Sequence, residues 1–387
     1  MKILISTDFY IHNLGGVTTS ILGLCAGLRS AGHEVKVLAM SNDGHSYREG
    51  DDYYVRSFPV YYSPGMRMST SINDPLINEL IEWGPDIIHA QSEGSALAFS
   101  CKIQKKCNIP LIVTCHTDYA YYVFGEKKDR PLYKIVEKLS SEFVYNGVFK
   151  IIVPAKKATH FTFLQPFKDR LLVLPNGIEL DKYNRSLSQF ERAKLLDDLH
   201  ISSNQKILVT ASRLSIEKNI QEIIEYLPSL LQKVPEVVLL IVGDGPYHNH
   251  LQQLVYKNNL QDKVIFAGRK ESSEVWKYYN IADIFVSASI FELHSMSYLE
   301  ALAQGLPLLC RDDEALDGVL DDGYNGFIYH NKKEFTEAAF RILNDEQLAY
   351  KLSNNSLVKS QDFSCEAFAE KAVNIYKDVI CDWNLRS

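Results

Sequence analysis

At 387 residues, the chain is too long for one ordinary core and suits two domains of roughly 150–200 residues each. The net charge of −7 and the lack of a sustained basic stripe argue against nucleic acid as a partner. The seven cysteines form no CxxC pair and no His-linked spacing, which favours reduced thiols over a disulfide framework or a metal site.

The amino terminus leads directly into an apolar strand pattern, starting at Met1 and Lys2. Signal peptides carry a long apolar segment after a short basic start, which is absent here, and the chain has no run of about 18 apolar residues that would span a bilayer. We therefore expect a cytoplasmic protein. Any contact with a membrane is expected to be peripheral, at the inner face of the cell membrane.

The charge is unevenly distributed along the chain. Residues 101–190 hold 15 basic and 8 acidic side chains, whereas residues 191–387 carry a net charge of −9. A basic surface in the first half would be attracted to anionic lipid. A solvated surface whose lysines simply belong to helices explains the same excess, and the sequence leaves both interpretations open.

Short apolar runs alternate with helical patterns from end to end. They resemble the strands of parallel sheets, which are buried on both faces, with spaces between them that suit crossover helices. In the first half, strands are predicted at residues 2–6, 34–39, 86–90, 110–115, 150–155 and 171–176. In the second half, they are predicted at residues 206–212, 237–243, 263–268, 283–289, 307–311 and 326–329.

Two sets of six strands predict an α/β protein with two doubly wound, Rossmann-like domains that face each other across a cleft. We place the domains at residues 1–190 and 191–387, with the connection inside the polar segment 177–205. Residues 365–387 include a helical apolar pattern. That helix is expected either to pack back on the first domain or to close the second.

Ligands of open α/β sheets bind beyond the carboxyl ends of the strands. In the first half, Gly15 and Gly16 precede a helical pattern, where backbone N–H groups and the helix dipole favour an anion. A plain tight turn is an equal alternative. His116 follows the fourth strand and could hydrogen-bond a sugar or a phosphate, although a lone histidine is more often structural.

In the second half, Arg213 and Lys218 bracket the loop after the first strand. Two fixed cations there would clamp a diphosphate and stabilise the charge that develops on a departing nucleoside diphosphate. Alternatively, Lys218 merely decorates the first turn of a helix. Gly243 ends the next strand, and Arg269 follows the third, where the backbone could line a pocket for a base.

Two carboxylates, Glu292 and Glu300, follow the fourth strand of the second half. The spacing predicts Glu292 near the strand end and Glu300 on the following helix. Each carboxylate can accept two neighbouring hydroxyl groups. The turn between them is expected to present its amides to a phosphate through His294, Ser295, Met296 and Ser297.

Taken together and in order, these motifs resemble the retaining glycosyltransferases of family four, the glycogen-synthase-like group with the two-domain GT-B fold. The motifs are Gly15-Gly16, His116, Pro175-Asn176-Gly177-Ile178, Arg213 with Glu217-Lys218-Asn219, Val242-Gly243-Asp244-Gly245 and Glu292-x7-Glu300.

The resemblance implies a role for each of these residues. Gly16 and the helix that it opens would face the donor phosphate, and His116 would contact the transferred sugar. Arg213 and Lys218 would clamp the diphosphate. Glu292 would bind the sugar hydroxyls, and Glu300 would bind the ribose. The family also implies a reaction without metal or cofactor, in which the leaving phosphate takes the proton of the acceptor on the same face of the sugar.

A narrower resemblance concerns the acceptor. The segments His89-Ala90-Gln91-Ser92-Glu93, Cys115-His116-Thr117-Asp118-Tyr119, Ser297-Tyr298-Leu299-Glu300-Ala301 and Arg311-Asp312-Asp313-Glu314 are similar to bacterial diacylglycerol glucosyltransferases. This implies a UDP-glucose or UDP-galactose donor, a membrane lipid acceptor and acceptor contacts from Asp118, Tyr119 and Tyr122. The pair His294-Ser295 departs from the family, which usually has an aromatic residue or glutamine followed by glycine there.

Several alternatives remain open at this point. A sugar phosphorylase of the same fold would consume inorganic phosphate, and an epimerase would need no acceptor. A transferase could instead act on a cell-wall or polysaccharide acceptor. A non-catalytic sensor or partner protein would bind the nucleotide sugar without transferring it. A screen of nucleotide sugars with and without diacylglycerol distinguishes them.

Overall fold

A computed structural model describes residues 1–9, 15–60, 66–116 and 141–386. The chain divides into two compact units, Met1–Gly177 with Cys365–Ser387 and Ile178–Ser364. The sequence predicted a boundary after residue 190, whereas the structure has it at residue 177. The boundary moves because Ile178 and Tyr183 are buried in the hydrophobic core of the second unit.

The first unit is built on a mainly parallel sheet. Its described strands and those of a small two-stranded sheet are β1 (Lys2–Ser6), β2 (Glu34–Met40), β3 (Tyr47–Glu49), β4 (Asp52–Val55), β5 (Phe58–Pro59), β6 (Arg67–Met68), β7 (Ile87–Ala90), β8 (Leu111–Thr114), β9 (Lys150–Val153) and β10 (Leu171–Val173). Among the described residues, eight strands form the large sheet, in the order β10-β9-β8-β7-β1-β2-β4-β3. Of the strand pairs described in that sheet, only β3–β4 is antiparallel.

The sequence predicted six of these strands and missed β3 to β6. Strands β3 and β4 form a hairpin whose second strand buries Tyr53, Tyr54 and Val55. The hairpin is short, and charged residues surround its turn at Gly50. Such short polar strands lack the long apolar run that marks a buried parallel strand.

Helices cover the sheet of the first unit. Those in the described part of the unit are α1 (Gly16–Ser30), α2 (Pro75–Trp83), α3 (Ser95–Cys107) and the C-terminal helix (Cys365–Asn384). The C-terminal helix packs on α1, and Phe368 and Tyr376 enter the core there. Gly27 permits the contact, because a Cβ atom at this position would lie 2.1 Å from the carbonyl oxygen of Cys365.

The second unit contains a parallel sheet of the doubly wound type. Its strands are β11 (Lys206–Ala211), β12 (Val237–Val242), β13 (Val264–Gly268), β14 (Ile284–Ser287), β15 (Leu308–Arg311) and β16 (Gly326–Tyr329). Their order is β13-β12-β11-β14-β15-β16, so β11 and β14 are neighbours although two strands separate them in sequence. All six strand positions predicted in this half are confirmed.

The second unit buries both faces of its sheet. Its helices are α4 (Leu180–Tyr183), α5 (Gln189–Asp198), α6 (Ile220–Leu231), α7 (His248–Lys257), α8 (Ser272–Asn280), α9 (Met296–Ala303), α10 (Lys332–Asn344) and α11 (Glu346–Ser360). One core cluster receives α4, α5, α8 and α9, and the other receives α6, α7 and α10. None of the helices in the described ranges combines the length and the apolar character needed to cross a bilayer.

Candidate active site

The loops after β11 and β14 meet at the carboxyl edge of the second unit's sheet. Because these strands are neighbours, the chain leaves the sheet twice at nearly the same place. The backbone N–H of Ile290 donates to the carbonyl of Glu217 at 3.0 Å, and the Ser289 hydroxyl donates to the same oxygen at 3.2 Å. Two loops far apart in sequence are therefore fastened together.

This junction brings Lys218 and Glu292 into direct contact. Lys218 ends a short 3-10 helix, Ile216–Lys218, and its Nζ donates to Glu292 Oε1. The two side chains are 21% and 12% exposed. A partly buried ion pair interacts more strongly than one in water, yet both groups keep an accessible surface for a ligand. The sequence predicted both residues as site residues but did not predict their pairing.

Arg213, the other predicted cation of this loop, lies on the surface. Arg213 is exposed, whereas Ser215, two residues later, is buried. The Ser215 hydroxyl donates to Glu217 Oε1 at 2.5 Å. The loop that carries Lys218 is therefore fixed by its own side chains as well as by Ser289. Arg269, predicted to lie beside the donor, is also exposed after β13. The donor contacts of both arginines stay predictions.

Gly243 is needed where the loops after β11 and β12 approach each other. Its φ is +138°, and a Cβ atom would lie 1.9 Å from the carbonyl oxygen of Ser212. Gly245 is similarly close to Leu214, at 2.3 Å from its carbonyl oxygen. The structure thus gives these glycines a backbone-packing role beneath the Arg213 loop. The predicted contact of Gly243 with a donor is not tested by this geometry.

Replacing Gly243 with alanine is expected to lower the free energy of unfolding by about 3 kcal/mol or more, because the new methyl group overlaps a backbone oxygen and φ is unfavourable. The matched control is Gly318→Ala, where φ is +77° but no atom lies within 4 Å. That variant should lose only about 1–2 kcal/mol. Urea unfolding followed by circular dichroism measures both. Equal losses would mean that the backbone contact is unimportant.

The second predicted carboxylate, Glu300, lies on α9, and Glu292 lies in the loop before that helix, as the spacing indicated. The Tyr183 hydroxyl donates to Glu300 Oε1 and the Tyr279 hydroxyl donates to Oε2, each at 2.9 Å. Burial raises the pKa of Glu300 to about 7, and the two hydroxyl groups oppose the increase. The folded protein therefore binds this proton more tightly than the unfolded chain, and this group's contribution to stability falls as pH rises towards 7.

The turn before α9 accommodates side chains without strain. Ser295 is the N-cap of the helix with φ −72° and ψ 124°, a conformation open to any residue. Its Oγ lies 2.9 Å from Ser297 Oγ. His294 is buried with its ring 5.5 Å from that of Phe363, and Met296 packs against the core. The departure from glycine at residue 295 therefore creates no backbone conflict.

A second ion pair adjoins this edge of the sheet and was not predicted. Arg311, at the end of β15, pairs with Glu222 in the first turn of α6. Glu222 Oε2 also accepts from Asn219 Nδ2 at 3.0 Å. Asn219 adopts a left-handed conformation, with φ +49°, directly after Lys218. The pair therefore anchors the residue that follows the candidate catalytic lysine.

In the first unit, His116 lies just beyond β8 and faces the residue after β7. Its Nε2 lies 2.9 Å from Oε1 of Gln91, which is buried. With this oxygen as the acceptor, Nε2 carries the proton. Burial lowers the pKa of His116 to about 4, so the ring is neutral at physiological pH. A neutral ring retains one acceptor nitrogen, Nδ1, for a ligand.

A buried network underlies His116. His89 lies on β7, with Nδ1 2.7 Å from the Tyr376 hydroxyl and Nε2 2.6 Å from Thr114 Oγ1. Burial lowers the pKa of His89 to about 3. The C-terminal helix thereby fastens the ends of β7 and β8. No local pattern predicts this network, because its members are far apart along the chain.

The remaining predicted residues of the first unit are only partly described. Gly15 is the N-cap of α1 and Gly16 is its first residue, and both are exposed. The helix has no acidic residue in its first turn, which is compatible with an anion there. Their donor contacts stay predictions. Asp118, Tyr119 and Tyr122 lie outside the described residues.

Both halves of the chain match known family models. Residues 14–182 match the model described as Glycosyltransferase Family 4, and residues 191–358 match the model described as Glycosyl transferases group 1. The first match covers most of the first unit and the second covers most of the second, and together they contain every site residue that the sequence predicted. Within the described ranges, no group of three or more His, Cys, Asp or Glu side chains could hold a metal ion.

Proteins similar to this chain include two alpha-monoglucosyldiacylglycerol synthases. The alpha-monoglucosyldiacylglycerol synthase of Streptococcus pneumoniae is 30% identical over 100% of this chain and 88% of its own length. The enzyme of the same name from Acholeplasma laidlawii is 26% identical over 98% of both chains. Among solved structures, Anabaena Alr3699/HepE in complex with UDP and glucose superposes with a TM-score of 0.74 at 18% identity, covering 98% of this chain and 100% of that one.

Proposed function

Because the chain belongs to the family-4 glycosyltransferases and has their GT-B fold, we propose that it transfers glucose or galactose from a UDP-sugar to membrane diacylglycerol, with retention at the anomeric carbon. Its full-length similarity to two diacylglycerol glucosyltransferases supports the acceptor. The contact between Lys218 and Glu292 is the observation that carries the donor chemistry.

The proposed donor chemistry depends on stabilising the negative charge of the departing UDP. Breaking the bond between sugar and diphosphate leaves negative charge on the departing UDP. Lys218 lies on a loop that is fixed at this junction, so its backbone is in place before that charge develops, and its ammonium group has only to move from Glu292 to the diphosphate. The Glu292 carboxylate, once released by the ammonium group, accepts hydrogen bonds from the hydroxyl groups of the sugar. Arg213 supplies a second cation on the same loop.

Retention requires no dedicated base from the protein. The acceptor hydroxyl approaches on the face that UDP leaves, and its proton passes to the departing phosphate oxygen. The protein contributes position and charge stabilisation. In this scheme the neutral His116 contacts the transferred sugar through hydrogen bonds, and Glu300 receives the ribose hydroxyls.

The lipid acceptor places the reaction at a membrane surface. The first unit carries basic residues on α3, where Lys105 and Lys106 are exposed. Each basic residue near an anionic surface contributes about 1 kcal/mol of attraction. Peripheral binding of this kind would bring the candidate site to its substrate.

We expect the purified protein to transfer labelled glucose or galactose from its UDP-sugar to diacylglycerol in phosphatidylcholine vesicles. The sugar of UDP-glucose is α-linked, so retention gives an α-glycoside, detected by cleavage of the extracted lipid with α-glycosidase. Adding phosphatidylglycerol should increase the rate because it attracts the exposed lysines of α3. Vesicles with triacylglycerol, which lacks a free hydroxyl, are the matched control.

Other products would overturn parts of this proposal. A β-linked lipid would exclude retention, and labelled polysaccharide without glycolipid would exclude the lipid acceptor. Sugar phosphate formed only with inorganic phosphate would indicate a phosphorylase. Binding of UDP-sugar without transfer to any acceptor would indicate a non-catalytic protein.

A further inference from the structure

The carboxylate of Glu300 is held from two sides by phenols. Tyr183, at the end of α4, donates to Oε1, and Tyr279, near the end of α8, donates to Oε2, both at 2.9 Å. Glu300 itself lies on α9. Three helices thus converge on one carboxyl group, and each of its oxygens has a separate donor.

Both phenols are rigidly placed. Tyr183 is 2% exposed and Tyr279 is 0% exposed, and both belong to the same core cluster. The Tyr279 ring lies 6.0 Å from that of Phe285. The Tyr183 hydroxyl also hydrogen-bonds Ser272, the first residue of α8. The packing of both rings in the core keeps their hydroxyl groups directed at Glu300.

The short segment that carries Tyr183 is tied down independently. Gln304, just after α9, donates through Nε2 to the carbonyl of Tyr183 and, at 3.2 Å, to the carbonyl of Arg185. Asn280, the last residue of α8, donates to the same Arg185 carbonyl at 3.1 Å. Side-chain amides at the ends of α8 and α9 therefore fix the position of the phenol relative to Glu300.

The hydrogen-bonding capacity of the Glu300 carboxylate indicates which groups of a ligand it can bind. An ionised carboxylate has about four acceptor positions, two on each oxygen. The two phenols occupy one on each oxygen and leave one on each. Glu300 retains some accessible surface. Two parallel acceptors on a fixed carboxylate match two neighbouring hydroxyl groups of a ligand, as in a ribose ring.

We propose that Tyr183 and Tyr279 are positioning residues that orient the Glu300 carboxylate towards the 2′- and 3′-hydroxyls of the donor ribose. They thereby set the preference of the protein for ribonucleotides over deoxyribonucleotides. This inference rests on the proposed function, in which Glu300 binds the ribose. The phenols touch the carboxylate and not the ligand, so they act through Glu300.

Calorimetric titration of the full chain with UDP and with 2′-deoxy-UDP tests the inference. The assay should be run above pH 7, where Glu300, with its pKa of about 7, is ionised. The unmodified protein should bind UDP about tenfold more tightly than 2′-deoxy-UDP, since one hydrogen bond to a charged acceptor is lost. In Tyr279→Phe and Tyr183→Phe this ratio should fall to about threefold or less, mainly through weaker binding of UDP.

Tyr298→Phe is the matched control. Tyr298 is also buried on α9, and its hydroxyl lies 2.9 Å from Ser287 Oγ and does not contact Glu300. Its removal should affect stability similarly and leave the UDP ratio unchanged. In transfer assays, the Tyr279→Phe variant should raise KM for the UDP-sugar with little change in kcat, because the phenol acts on binding.

The outcomes separate this inference from the proposed function. If the unmodified protein binds UDP selectively and both phenylalanine variants keep the same ratio, the phenols are only structural and the inference is overturned. If the unmodified protein binds both nucleotides equally, Glu300 does not bind the 2′-hydroxyl. If it does not bind UDP, the proposed function fails, and the inference fails with it.

Discussion

Replacing Lys218 with alanine is expected to lower the turnover number for sugar transfer by about 100- to 1,000-fold, the usual effect of removing one preorganised group that stabilises developing charge. Lys218 lies on a loop fastened through the Glu217 carbonyl to the loop after β14. The backbone that carries the ammonium group is thus in place before the diphosphate gains the charge of the leaving group. The measurement is kcat with saturating UDP-sugar and diacylglycerol.

A second ion pair of the same unit, whose lysine is as buried as Lys218, supplies the control for this variant. Lys359 pairs with Asp321 at 2.8 Å, and Asp321 precedes β16, at the opposite edge of the sheet. Lys359→Ala should keep the original kcat. Lys218→Ala also leaves Glu292 without its cation, so it should lose about 1–3 kcal/mol of stability but remain folded. Unchanged transfer by the folded Lys218→Ala protein would exclude the clamp.

The strands could be predicted because their signal is local. Val237–Val242 is six apolar residues long, and all six are buried. A parallel strand that is covered on both faces can be recognised from its own apolar run, without knowing which strands lie beside it. The β3–β4 hairpin lacks this signal, since its residues are mixed and its stability comes from pairing with β2. The domain boundary was misplaced for a related reason, because the polar segment around Tyr183 contributes only a few side chains to the core.

The candidate site could be predicted only as a set of loops. Glu292 and Lys218 follow strands in the sequence, and this places them at the same edge of the sheet. Their contact depends on β11 and β14 being neighbours in the sheet. The local sequence pattern does not predict the order of the strands. The phenols of Tyr183 and Tyr279 are harder still to find. They lie 117 and 21 residues from Glu300 and reach it only through helix packing.

Gly243 shows another limit of prediction from the sequence. Gly243 was recognised as part of a strand-end turn that suits a ligand. The structure shows a backbone oxygen of Ser212 1.9 Å from the position of its missing Cβ atom. A glycine required by close backbone packing and one required by a phosphate look the same in a sequence. Only the neighbouring loop distinguishes them.

Replacing Glu292 with glutamine is expected to separate sugar recognition from nucleotide recognition. Glutamine keeps the size of the side chain but loses the charge that accepts two sugar hydroxyls strongly. We expect kcat to fall by about 100-fold or more. The affinity for UDP, which has no sugar to bind, should stay the same or increase, since a negative charge near the diphosphate is removed.

Lys218→Ala should also lower turnover, but it differs from Glu292→Gln because it should weaken UDP binding as well. Calorimetry with UDP and initial rates with UDP-sugar therefore distinguish the two members of one ion pair. Glu274→Gln is the control, because Glu274 pairs with Lys277 at 3.0 Å on the exposed face of α8. A Glu292→Gln protein that transfers sugar normally would exclude the sugar contact. One that loses UDP affinity while keeping kcat would instead assign Glu292 to the nucleotide, leaving the sugar to be held by other residues.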